Sequence, residues 1–273
     1  MKIILKLKKK IDGYLDFKKF SKLNDEKLNY DNIYNTKLLY KNKLVGIKDL
    51  FLVRIYEKNI DSRVFILDGS SYYFNFLGFR WKNDKIKVLG DAGSYLGLEM
   101  ESGEIELEGS CENFLGSEMT GGLIRVKKDV GDFLGAPTFG GKLGMNGGVI
   151  VVGGNAGNYL GKLMRRGIII VCGDVKNFCC LNMIAGTVII KKNIGSFFGS
   201  FMKRGTLILF SKPQFNNLKF IISKGEKESF FGLLDIYLKN FIGVKVFNKK
   251  KFKRYIGDRN NNGLAEILIA SKK

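Results

Sequence analysis

The thiols of Cys111, Cys172, Cys179 and Cys180 are the most reactive side chains in this 273-residue chain, which contains no histidine. Histidine is the commonest general base and the commonest transition-metal ligand. Neither a Ser-His-Asp triad nor a histidine-containing zinc site can therefore be built from these residues. No two cysteines form a C-x-x-C pair, the spacing fits no ferredoxin run, and adjacent cysteines do not readily face one metal. The expectation is free thiols and no metal site. Asp91, Asp129 and Asp174 recur at one turn position, where Asx side chains hydrogen-bond their own backbone. GDAGSYLG (Gly90 to Gly97) and GNAGNYLG (Gly154 to Gly161) resemble nucleotide-binding loops. Such a loop occurs once and opens a helix, whereas here the pattern recurs and opens a short turn. No catalytic residue is expected.

The elements that place these residues follow from a repeat. Met100, Met119, Met145, Met164, Met183 and Met202 are separated by 19, 26, 19, 19 and 19 residues. A glycine follows each by three: Gly103, Gly122, Gly148, Gly167, Gly186 and Gly205. Three residues ahead of the methionine stand Gly97, Gly116, Gly161 and Gly199, with Cys180 in their place once. Tyr95, Phe114, Phe133, Tyr159, Phe178 and Phe197 keep the same register, and Trp81 lies 19 before Met100 as a degenerate seventh copy. The interval of 26 is a seven-residue insertion between Gly135 and Met145. After each methionine comes a short run such as EIELE, LIRVK or IIIVC, too short for a helix and bounded by turn residues. A fixed period of strands and turns predicts an all-β solenoid of 19-residue coils, stacked in parallel and stable only as an array. The methionines and the aromatic column are expected to fill its interior. Cys111 shares a small apolar column with Ala92, Val130, Ala156, Val175 and Ile194, and reads as a buried, inert thiol.

Three segments result: a β-rich N-terminal cap over 1–70, the repeats over 71–210, and a short α/β segment over 211–273. MKIILKLKKK has too short an apolar run for a signal peptide and reads as a first strand, with FLVRIY and RVFILDG as further cap strands. Phe230, Leu233, Leu234, Tyr237, Leu238 and Phe241 fall on one face of a predicted helix. Strand phase points Val149, Val151, Ile168, Ile170, Ile189 and Ile208 outward, an apolar stripe that needs a cover. The chain's own helix is the expected cover, a separate protein the alternative. No run approaches eighteen apolar residues, so no membrane span and a cytoplasmic address are expected. The net charge of +20 reflects either an acidic partner or an AT-rich coding bias. Beside the methionines, early coils carry Glu99, Glu101 and Glu118, and late coils carry Lys162, Arg165, Arg166, Lys203 and Arg204.

Residues 88–210 resemble the repeat domain found in the C-type component of formylmethanofuran dehydrogenases, itself similar to the GXGXG domain of the large glutamate synthase polypeptide. GNAGNYLGKLMRRGIIIV, MIAGTVII and FMKRGTLILF look like coils of that family. RYIGDRNNNGLAEILI, Arg254 to Ile269, resembles the tail of the bacterial members, which belong to formyltransferase/hydrolase complexes. The resemblance implies a right-handed parallel β-helix acting as a non-catalytic brace. Its neighbours would be an amidohydrolase-like hydrolase subunit, a transferase subunit and one further subunit. Such a complex takes formyl-tetrahydromethanopterin to formate through a methanofuran-type carrier bound by the complex, with no cofactor in this chain. The carrier's poly-glutamate arm would match Lys162, Arg165, Arg166, Lys203 and Arg204. A stand-alone GXGXG domain of a split glutamate synthase is the alternative, disfavoured because no amidotransferase cysteine follows Met1. A nucleic-acid-binding solenoid is disfavoured by aromatics expected inside rather than among exposed lysines.

Overall fold

The short β-branched runs become strands of the length their turn boundaries dictate. The computed structural model describes residues 1–24, 28, 30–57, 63–214, 220–223, 228–243, 246–247 and 250–271. The N-terminal part supplies β1 (Lys2–Leu7), β2 (Leu15–Asp16), β3 (Lys37–Tyr40), β4 (Lys43–Gly46), β5 (Phe51–Tyr56), β6 (Val64–Asp68) and β7 (Phe74–Asn75), with short helices α1 (Tyr30–Asn35) and α2 (Ile47–Leu50). The repeats supply β8 (Lys85–Val88), β9 (Glu104–Leu107), β10 (Leu123–Val126), β11 (Asn146–Val152), β12 (Arg166–Val171), β13 (Thr187–Ile190) and β14 (Thr206–Leu209). Beyond them lie β15 (Ile221–Ser223), helix α3 (Glu228–Ile242), β16 (Phe252–Gly257) and β17 (Ala265–Ala270).

Strands β8 to β14 pair in parallel, each with its copy one repeat on: Lys85 opposite Glu104, Glu104 opposite Leu123, Ile168 opposite Thr187, Thr187 opposite Thr206. The insertion is absorbed without loss of register, since Leu123 still faces Val149. A second parallel ladder runs Ala92–Cys111–Val130–Ala156–Val175–Ile194, the small apolar column. The chain thus forms a largely β, mainly parallel stack of 19-residue units. It is extended at one end by β6, β1 and antiparallel β5, and at the other by β17, β16 and β15, giving thirteen strands in one sheet. Strands β4, β3, β2 and β7 form a separate four-stranded sheet.

All six methionines of the column are fully buried. In the five units that have a successor, the Sδ–Cε arm reaches into the next unit and fixes what stands there: a Cβ on Gly122 would lie 2.8 Å from Met100 Cε, and one on Gly148 2.6 Å from Met119 Cε. The methionine and glycine columns are therefore two halves of one contact. Trp81 heads the methionine column, fully buried, with its indole N–H donated to the Asp84 carbonyl at 2.9 Å. Phe20 stacks on it at 5.5 Å and Phe65 meets it edge-on, so the N-terminal segment plugs the open end of the core.

The outer face changes character along the stack. On β8 to β10, Lys85 pairs with Glu104 and Glu106, Lys87 and Lys127 pair with Glu108, and Arg125 pairs with Glu104. Farther on, Ile170, Ile189, Ile208 and, on β17, Leu268 are buried under Leu238 and Phe247, with Phe230, Phe231, Leu234 and Ile242 packed alongside. Helix α3 is thus the cover, and Arg125 Nη2 holds its C-terminal end by donating to the Phe241 carbonyl at 2.9 Å. The covering face differs from the expected one. Phe230, Leu234 and Leu238 face the sheet, whereas Leu233, Tyr237 and Phe241 turn to solvent together with Ile236. The helix is apolar on two sides, and its 3.6-residue period does not say which side meets the sheet.

Candidate functional site

Except where the insertion intervenes, each unit turns at the corner before its methionine through three left-handed residues at alternate positions, for example Tyr159, Gly161 and Leu163 at φ 60, 67 and 54°. The ladder fixes the backbone that follows. Arg165 and Arg166 donate their N–H groups to the Met145 carbonyl, Ile184 to that of Met164, and Lys203 to that of Met183. Arg165 and Lys203 therefore occupy the same place two units apart, with uncharged Ile184 between them. Arg165, Arg166, Lys203 and Arg204 are exposed, and among the described residues none has an ion pair. Lys162 is half-buried, its ammonium 5.7 Å from the Tyr159 ring centroid. The five cations thus share one corner of the late units.

The acidic part of the expected gradient is largely cancelled, at Glu99 and Glu101 by ion pairs. Glu99 pairs with Arg80 at 2.7 Å and Glu101 with Lys82 at 2.8 Å, each cation standing one unit earlier. Glu118 accepts the N–H and hydroxyl of Thr138 at 2.9 and 2.6 Å, pinning the inserted loop, which carries Phe139 into solvent at 80% exposure. The corner therefore runs from mostly paired carboxylates to unpaired cations, with Glu118 the early charge that has no cation beside it among the described residues.

The aromatic column belongs to neither buried cluster, contrary to its expected interior place, although Phe76 and Phe114 are themselves buried. Phe76, Tyr95, Phe114, Phe133, Tyr159, Phe178 and Phe197 stack face to face at 4.6–5.2 Å with planes within 10°. Every one has a left-handed backbone, φ 59 to 65°, which breaks the alternation of inside and outside on which the expectation rested. Nucleic acid is disfavoured on different grounds: the rings cover one another's faces and leave mainly edges to solvent, so stacking platforms for bases are absent along the described column.

Asp91, Asp129 and Asp174 do not bond their own turns. Each accepts the backbone N–H of the next unit, Ser110, Asn155 and Asn193, at 2.6–2.9 Å. A neighbouring ladder of Asn113, Asp132, Asn158 and Asn177 does the same. The glycine-rich turns face protein: a Cβ on Gly93 would sit 2.4 Å from the Tyr72 carbonyl oxygen. Cys111 is buried in the small apolar ladder, where burial raises its thiol well above the ordinary range. Cys179 and Cys180 are fully buried with sulfurs 3.6 Å apart, burial again raising the Cys179 thiol, and Cys172 is exposed. Among the described residues no three Cys, Asp or Glu side chains converge as a metal site, and no helix is long and apolar enough to cross a membrane.

The tail residues have roles that their sequence does not reveal. In the repeats, the residue before the methionine donates its N–H to the next unit: Glu99 to Ser117, Leu163 to Leu181, Asn182 to Ser200. Phe201 has no following unit, and its N–H is donated instead to the fully buried Asp258 carboxylate at 3.0 Å. Its carbonyl accepts from Asn261 Nδ2 at 2.9 Å. Glu266 accepts from Thr206 Oγ1 at 2.8 Å and from Arg254 Nε at 2.9 Å.

No protein-family model matches the chain, and no curated protein sequence matches it. Among solved structures, it is similar to a chain of the formyltransferase/hydrolase complex (FhcABCD) from Methylorubrum extorquens, determined in complex with methylofuran. The identity is 27% and the TM-score 0.87, over 98% of this chain and 100% of that one.

Proposed function

We propose that this chain is the non-catalytic structural component, of the C type, in a cytoplasmic formyltransferase/hydrolase complex. In this reading the repeats over 71–210 form a right-handed parallel β-helix of GXGXG type, capped by 1–70 and braced by 211–273. Separate hydrolase, transferase and third subunits take formyl-tetrahydromethanopterin to formate through a methanofuran-like carrier. The end-to-end likeness to a chain of such a complex carries the proposal, since it spans cap, repeats and tail together. The outward ridge of α3 supports it: Leu233 and Ile236 are 69 and 60% exposed, and a helix apolar on both sides is one that is buried in its assembly. Co-expression with the other subunits of such a complex should give one co-eluting species; a chain that stays apart from them overturns the reading. Leu233→Glu with Tyr237→Glu should leave the isolated chain's stability within about 0.5 kcal/mol while abolishing co-elution.

Lys162, Arg165, Arg166, Lys203 and Arg204 are proposed to hold the carrier's poly-glutamate arm, because cations without ion pairs at one corner, all but half-buried Lys162 exposed, suit successive carboxylates. Changing Arg165, Arg166, Lys203 and Arg204 to Ser should weaken carrier binding by the assembled complex at low salt and flatten its salt dependence. Unchanged affinity in an intact assembly removes the corner from binding.

A further inference from the structure

Away from the repeats, a cavity of about 430 Å³ opens in the N-terminal part between the 3₁₀ segment Lys18–Asn24, α1 and the start of β3. Its walls follow from local geometry. In a 3₁₀ turn, residues i and i+3 lie above one another, so Phe20 and Leu23 go together into the core while Lys19 and Lys22 emerge together on the other side. On α1, Asn32 and Asn35 are likewise three apart and share a face. Lys37 follows at the head of β3, and Leu23, 1% exposed, forms the apolar floor.

The lining is one-sided in charge. Three lysines contribute and no carboxylate does among the described residues of the lining. Among the described residues none of Lys19, Lys22 and Lys37 has an ion pair, although Lys6, Lys41, Lys82, Lys85, Lys87 and Lys127 all do. The Thr36 hydroxyl is spent on the Asn32 carbonyl at 2.6 Å, so the lining offers donors chiefly from the three lysines and the Asn35 amide. Three like charges around one concavity repel each other and focus a positive potential into it, which a bound anion would relieve.

We propose that this cavity is a binding site for a small polyanion, a molecule bearing carboxylate or phosphate groups, distinct from the basic corner of the late units. Its volume falls in the range of small-molecule sites, and its donors suit oxygen acceptors. The site is independent of the proposed role in a complex.

Calorimetric titration of the full chain with inorganic phosphate and, separately, with citrate tests this. Saturable binding of one equivalent of either is expected, at least about tenfold weaker in Lys22→Met/Lys37→Met and unchanged in Arg165→Ser/Arg166→Ser. Phosphate alone would assign a phosphate ligand and citrate alone a carboxylate ligand. The melting temperature checks that the pocket variant is folded. If it is not, saturable chemical-shift changes of the Asn35 and Lys37 amides in the unmodified chain, on addition of either anion, serve instead. No saturable binding, equal binding in the pocket variant, equal loss in both variants, or shifts that leave those two amides unmoved overturns the proposal.

Discussion

Single residues in this chain are fixed chiefly by the unit above or below, which makes their replacement costs predictable from one contact. A Cβ on Gly148 would meet Met119 Cε at 2.6 Å and the Gly122 carbonyl oxygen at 2.7 Å, at φ 80°. Overpacking and a left-handed alanine each cost about 1–3 kcal/mol, so Gly148→Ala should lose about 2–5 kcal/mol in urea unfolding. Gly140 shares the left-handed backbone, φ 84°, but has nothing within 4 Å, and Gly140→Ala should cost only about 1 kcal/mol. Equal losses at the two sites would remove the methionine contact from the explanation. Met119→Ala should rescue Gly148→Ala in part, the methyl clash vanishing while the carbonyl clash stays. The pairing of these columns is legible in the sequence because both repeat with the same period. The Asx ladders are not, because Asp129 and Asn155 look like ordinary turn residues until their partners one unit away are known.

At the scale of elements, the apolar stripe and the helix that covers it are both legible, since each has its own periodicity. Which side of α3 meets the stripe is not, because Leu234 and Leu238 on one side and Leu233 and Tyr237 on the other are equally apolar. The aromatic column escapes sequence reasoning for a related reason: a left-handed residue at Tyr95 or Phe114 reverses side-chain direction, and nothing in an aromatic's identity announces that backbone. The cover also buries charge. Lys191 donates to the Val246 carbonyl and sits 3.7 Å from the Phe210 ring centroid, and burial pushes its pKa down to about 8. Lys250 lowers it further, against Cys172 and Asp235. Between about pH 8 and the ordinary lysine value of 10.5 the unfolded chain binds the extra proton, so stability rises with pH across that window. The gain should be on the order of 1 kcal/mol, below the full shift because the ammonium keeps partial access to water. Lys191→Met should flatten that rise and be the more stable form below pH 8. Parallel pH–stability curves for the two proteins would exclude Lys191 as the source.

For the whole molecule the governing problem is how a stack of identical units ends. A parallel ladder leaves unpaired N–H and C=O groups at its last strand, a template for further pairing. At the first end the solution is a plug of aromatics around Trp81 and an antiparallel β5. At the last end the tail imitates one more unit. Strand β17 pairs in parallel with β14, Thr206 opposite Glu266 and Leu209 opposite Ile269; Asp258 supplies to the Phe201 N–H the acceptor that a further coil would have supplied, and Asn261 adds a donor to its carbonyl. Antiparallel β16 then ends the parallel run. Glu266→Ala should weaken this mimic without removing it, leaving Arg254 and Thr206 without their carboxylate at a cost of about 1–3 kcal/mol, with the chain still monomeric. Deleting residues 251–273 should do something different in kind. It strips the cover from β14, whose Leu207 and Leu209 are fully buried in the intact chain, and leaves the ladder open. Light scattering after size exclusion should then show concentration-dependent assembly of the truncated chain and none of the Glu266→Ala chain. A truncated chain that remains a folded monomer would mean that β14 tolerates an open edge, and that the tail exists for contacts outside the stack.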